Sequence, residues 1–243
     1  MKLLRIFFAP AFLLVATAAA PAIDSTAVTP TPSPDEPELI EIVDTPGLPR
    51  VLLIGDSISQ GYTLAVRARL TGQANVHRPG ENCRDTAFGL ARLDTWLGHG
   101  KWDVIHFNFG LHDLKYVDIQ GHKSVYKNGM PFHTIADYEA NLRELVTRLR
   151  RTGAKLIFAA TTPVPDDVSF EDRVPHDELR YNEAAERVMK EFGVGIDDLH
   201  AFVEPRQTQL LKPHDVHMTP AGYEKLADLV AASIKSALSG ERR

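Results

Sequence analysis

An apolar run, Val51-Leu52-Leu53-Ile54, stops at Gly55-Asp56-Ser57, and a helical pattern of apolar residues starts soon afterwards. That order predicts a strand ending in a tight turn, with the Ser57 hydroxyl presented at the C-terminal edge of a sheet. In open α/β sheets this edge is where ligands bind. A serine hydroxyl is a weak nucleophile and needs a base within hydrogen-bond reach. Histidines suited to that task occur in two other loops, Gly110-Leu111-His112-Asp113 and His214-Asp215-Val216-His217. Each loop also carries a carboxylate. The set would bring a hydroxyl, several imidazoles and two carboxylates together, as a serine nucleophile with an imidazole base requires. His214 and His217 also have usable metal-ligand spacing, but no zinc motif is complete, and neither metal nor cofactor is expected.

These loops can meet only if they leave the same edge of one sheet. Strands are predicted at 50–54, 74–77, 104–107, 154–160 and 194–196, and helices at 62–70, 87–97, 135–151, 177–192 and 220–238. The helix over 135–151 has the clearest amphipathic spacing, and Asp85 or Thr86 can cap the one before it. Strands alternating with helices predict a parallel sheet covered on both faces. Loops 110–133 and 161–175 are long for a compact domain, as functional loops often are. Asp56 reads as a turn and capping residue, Asp113 as a brace for its loop, and Asn108, at a strand end, as a candidate for orienting site groups.

Three blocks, in order, resemble the SGNH (GDSL-type) hydrolase superfamily. Gly55-Asp56-Ser57-Ile58-Ser59 is similar to its first block, and Gly110-Leu111-His112-Asp113 to its third, usually Gly-x-Asn-Asp. Asp215-Val216-His217-Met218-Thr219-Pro220-Ala221-Gly222-Tyr223 is similar to its last. The resemblance spans residues 50 to 235. It implies a three-layer α/β/α fold with a flavodoxin-like, five-stranded parallel sheet. It also implies Ser57 as nucleophile and His217 as base. The oxyanion would be held by the Ser57 N–H, an N–H from the second-block loop at Gly80 or Arg84, and the His112 side chain in place of the usual Asn. The second block usually offers glycine where Arg84 stands. The family's acid usually lies three residues before the histidine. That position is His214 here, and the acid is Asp215. The site is therefore either a Ser57–His217 dyad or a triad completed by Asp215, with Asp56, Gly110, Asp113, Asn108 and His214 in support.

Composition narrows the setting. The chain has 243 residues, 44% hydrophobic and 24% charged, with a formal net charge of −5. No basic stripe is present, so neither nucleic acid nor a stable membrane partner is expected. Lys2 and Arg5, the apolar stretch 6–15 and Ala18-Ala19-Ala20 read as a signal peptide over 1–20. Residues 21–37 read as a disordered Pro/Thr/Ser linker and 38–243 as one hydrolase-like domain. Export to the periplasm or outside the cell follows, with cleavage near Ala20. Cys83 is the only cysteine and reads as a small loop residue. The polar loops, bearing His and Tyr, suit an acetylated carbohydrate better than a long acyl chain. A lipid or thioester esterase and a non-catalytic carbohydrate-binding relative are the alternatives.

Overall fold

The computed structural model describes residues 35–169 and 172–240. The expected leader, and the linker as far as residue 34, lie outside the described residues; Pro37–Leu39 form a 3-10 turn. In chain order the strands are β1 (Arg50–Ile54), β2 (Asn75–His77), β3 (Val104–Phe107), β4 (Tyr116–Val117), β5 (Met130–Pro131), β6 (Lys155–Ala159) and β7 (Gly195–Asp197). The helices are α1 (Ser57–Arg69), α2 (Thr86–Leu97), α3 (Ile135–Arg150), α4 (Glu178–Phe192), α5 (Leu199–Val203), α6 (Gln207–Leu210) and α7 (Pro220–Ser239). Five strands form a parallel sheet in the order β2-β1-β3-β6-β7. Helices α1 and α7 pack on one face and α2, α3 and α4 on the other. This is the expected three-layer, flavodoxin-like arrangement.

The central strands are buried on both faces, which is why β1 reads as an apolar run over Val51–Ile54 and β3 as one broken only by His106. In the parallel register Ile54 lies beside Phe107, so the loops that follow both strands leave from the same edge. His106 is enclosed in this core and bonds Asp197 through Nε2 at 3.2 Å.

Three departures from the expected elements bear on the site. Helix α1 begins at Ser57, not at residue 62, because the Asp56 carboxylate accepts the Ile58 N–H (2.9 Å) and caps it. The polar stretch that follows hid this turn from periodicity. Loop 110–133 contains the small antiparallel hairpin β4–β5. The stretch before α7 holds α5 and α6, with Asp198 capping α5 through the Ala201 N–H (2.9 Å). Among the described residues no helix is long and apolar enough to cross a membrane.

Gly61 brings α1 and α7 into close approach. A Cβ there would fall 2.1 Å from the Tyr223 ring. Gly61→Ala is therefore expected to lose about 1–3 kcal/mol to overpacking, outweighing alanine's helix advantage of about 1 kcal/mol. A melting temperature lower than wild type in a thermal scan would bear this out; an unchanged or higher one would refute it.

Candidate active site

Ser57 is the first residue of α1, directly beyond β1. Its Oγ lies 2.9 Å from His217 Nε2. On the other side of the ring, His217 Nδ1 lies 2.7 Å from Asp215 Oδ1. The same oxygen accepts the His217 backbone N–H at 3.0 Å, so the carboxylate folds back on the residue two places ahead. A short Asp215–His217 spacing is therefore no obstacle to contact. The turn is set by His214 at φ +59 and by the hydrogen bond from Asp215 N–H to Lys212 O (3.2 Å). It is closed by Lys212 N–H donating to His217 O (2.8 Å). Thr219 then caps α7 through the Gly222 N–H (3.0 Å). Burial alone would raise the Asp215 carboxyl, but the two bonds from His217 outweigh it and hold the group below its usual range.

The remaining predicted residues divide. His214 turns to Asp167 (Nδ1 to Oδ2, 3.0 Å) and is largely exposed, not part of the Ser57–His217 chain. Asn108 ties strand ends together instead of reaching that chain: its N–H donates to Ile54 O (2.9 Å) and its Nδ2 to Ala159 O (2.7 Å). Gly110 passes so close to Thr161 that a Cβ would fall 2.0 Å from its Oγ1. His112 is largely enclosed, with Nδ1 buried and unpartnered. Burial lowers its imidazole pKa, with Lys115 and Arg173 adding to the effect against Asp56. His112 is thus favoured as the neutral ring, which still carries one N–H. Asp56 is wholly buried beneath the turn.

The second-block loop is tied to the nucleophile turn. The Gly55 carbonyl accepts the Cys83 N–H (3.2 Å) and Arg78 Nη2 (3.2 Å). Arg78 is buried, and its Nη1 donates to Ser59 Oγ (3.2 Å) and Thr63 Oγ1 (3.1 Å), fastening α1 as well. A lone basic residue after a short strand carries no sequence signal for this role. Arg84 takes φ +54, a conformation that glycine holds without strain. Gly80 lines a cavity of about 670 Å³ with His77, Trp96 and Trp102, whose walls include neither Ser57 nor His217.

Asp113 braces the third loop. Its Oδ1 accepts the Thr86 N–H (3.0 Å) and the Thr86 hydroxyl (2.5 Å), while Oδ2 is buried without a partner. Burial pushes its carboxyl up to about 7. Asp113 thus keeps a proton in the fold that the unfolded chain has released, and its stabilising contribution fades as pH rises from the ordinary carboxylate range toward 7. Asp113→Asn is expected to flatten this fall. Melting curves of both proteins across that range check it, and parallel curves would contradict it.

His112, Asp113, His214 and His217 do not gather as metal ligands among the described residues. Among the described residues a cluster with suitable spacing is formed instead by Glu178, His200 and Glu204, where His200 bonds Glu178 at 3.1 Å.

Comparison with known proteins gives a family and a fold. The model of the GDSL-like lipase/acylhydrolase family matches residues 53–225. Among curated proteins, none matches the chain. The acetyl xylan esterase AlAXEase superposes with a TM-score of 0.62 at 16% identity, covering 76% of this chain and 99% of that one. A lipase/acylhydrolase from Enterococcus faecalis gives 0.62 at 21% identity, covering 78% and 96%. The acetylxylan esterase Axe2 from Geobacillus stearothermophilus gives 0.61 at 18% identity, covering 76% and 94%. At these identities the likeness concerns the fold. The family match spans most of the chain and takes in the end of β1, the Ser57 turn and the His217 loop, so the protein belongs to the GDSL-like lipase/acylhydrolase family of ester hydrolases.

Proposed function

We propose that the protein is a serine esterase acting on small acyl esters, acetyl first among them, carried by carbohydrate. The observation behind this is the unbroken hydrogen-bond chain Ser57–His217–Asp215 at the C-terminal sheet edge. Ser57 Oγ attacks the ester carbonyl carbon as His217 Nε2 takes the hydroxyl proton. The tetrahedral oxyanion is held by the Ser57 N–H at the start of α1, the His112 ring and the N–H at Arg84, which must first leave Asn82 Oδ1, the acceptor it donates to here (2.9 Å). Gly80, turned to its own cavity, is the weaker second-block candidate. Collapse expels the alcohol, which receives the proton from His217. Water, activated by the same imidazole, then releases the acyl group and restores Ser57. Asp215 stabilises the imidazolium formed at each step.

The sugar reading is supported by the polar loops and by the fold shared with two acetylxylan esterases. It is tested with chromogenic esters of rising chain length and with acetate release from acetylated xylan. Preference for octanoyl over acetyl esters would turn the reading toward a lipid esterase. Within this scheme His112→Ala is expected to lower kcat about 10²–10³-fold with little change in KM, and His112→Asn, which restores the family's residue, to recover most of it. Equal activity in the alanine variant would remove His112 from the oxyanion site. Export rests on the leader pattern over 1–20; N-terminal sequencing of secreted protein, expected to start near Pro21, tests it.

A further inference from the structure

We infer that the substrate of the Ser57 site carries an anionic group, a carboxylate or a sulfate on the acylated sugar, which Lys115 and Arg84 receive. This rests on the esterase reading and deepens it. Both cations flank the loops that close on the nucleophile. Arg84 follows Cys83, whose N–H donates to the Gly55 carbonyl (3.2 Å). Lys115 lies three residues beyond His112, in the loop after β3.

Among the described residues neither cation pairs with a carboxylate. Arg84 instead lies over the Phe88 ring at 4.9 Å, and Lys115 over the Phe132 ring at 5.1 Å. An aromatic face holds a cation in place without neutralising it. The acids beside them are already engaged. Asp85 accepts the Phe88 N–H (3.0 Å) and bonds His133 (3.0 Å), Asp113 meets Thr86 through Oδ1 with Oδ2 enclosed in the protein, and Asp215 meets His217. The charges are also gathered together. Burial first, and Arg84 next, depress the Lys115 ammonium; Asp85 opposes them, and Arg173 and Lys123 add to the fall. Arg173 Nε donates to Leu111 O (3.3 Å), next to His112, while its Nη1 pairs with Asp172 Oδ1 (3.3 Å).

Two cations drawn together without a bonded carboxylate repel each other, a cost that an anionic ligand returns. The backbone points the same way, because Arg84 holds φ +54 where glycine would be unstrained. A guanidinium and an ammonium on aromatic supports, in the loop joined to the Gly55 carbonyl through Cys83 and the loop that carries His112, match a carboxylate or sulfate on the sugar.

The test compares kcat/KM for three esters: acetylated glucuronic acid, its neutral carboxamide, and acetylated glucose 6-sulfate. Wild type is expected to prefer an anionic ester by about tenfold or more at low salt, with the preference shrinking as ionic strength rises. The acid and sulfate arms show which anion is read. Lys115→Met is expected to erase most of the anionic-over-neutral ratio, and Lys115→Glu to reverse it. Arg84→Gly is expected to lower the ratio while raising the melting temperature, since it removes both charge and strain. Equal rates for acid and carboxamide in wild type would overturn the inference. So would a Lys115→Met variant that slows all three esters alike, which would make Lys115 an oxyanion partner. Calorimetry with Ser57→Ala protein separates the inference from the esterase reading. Tighter binding of a glucuronate trisaccharide than of its carboxamide supports the inference even if no ester is cleaved, and equal affinity overturns it.

Discussion

Replacing Ser57 with alanine is expected to lower kcat for a chromogenic acetate ester by about 10⁴- to 10⁶-fold without disturbing the fold. The side chain's hydrogen bond is to His217, and the α1 cap belongs to Asp56, so alanine at this first helical position leaves the helix start intact. What disappears is the attacking oxygen. The small remaining rate comes from water acting in a site whose oxyanion donors are still in place. Steady-state kinetics beside circular dichroism read both quantities, and fluorophosphonate labelling should vanish with the hydroxyl. Activity above about one per cent of wild type, far more than such residual rates allow, would sink the assignment.

The second large effect lies at Asp215. Asp215→Asn is expected to lower kcat by about 10³- to 10⁴-fold, with KM nearly unchanged. One carboxylate oxygen accepts both the Nδ1–H and the backbone N–H of His217. An amide can turn its NH₂ toward Nδ1 instead. That would favour the tautomer with its proton on Nε2, which cannot accept a proton from Ser57. The carboxyl is held below its usual range, so Asp215 is ionised throughout the neutral region. Its share of stability is present above the ordinary carboxylate pKa and is lost as pH falls through the lowered one. Loss of less than tenfold in the Asn variant would mean that Ser57 and His217 work as a dyad. The same measurement on His217→Ala, expected to fall as far as Ser57→Ala, supplies the reference.

The two variants differ in how well the sequence prepared for them. Ser57 was legible because strand end, turn and nucleophile are adjacent in the chain, and adjacency is what a linear pattern records. Asp215 was not, because one residue's shift along a loop reverses where a side chain points on a strand but not in a turn. Only the backbone path through His214 at φ +59 decides whether the carboxylate reaches the ring. The early start of α1 escaped for a similar reason. Its first turn is fixed by a cap and by buried polar contacts with Arg78, none of which leaves a hydrophobic period.

By itself, then, the chain determined its layers, the parallel sheet, the edge where loops gather, and Ser57 and His217 as the candidate nucleophile and base. Local propensity and periodic burial suffice for those, since each strand or helix carries its own pattern. Tertiary structure alone decided the orienting contact of Asp215, the anchoring of the turn by Arg78, the confinement of Asn108 to strand ends, and the unpaired cations Lys115 and Arg84. Each depends on atoms brought within a few ångströms across long stretches of chain, as when Ser57 meets His217 at 2.9 Å. Hydrogen bonds and ion pairs are short-ranged and directional, so a sequence shows which partners are available but not which of them meet.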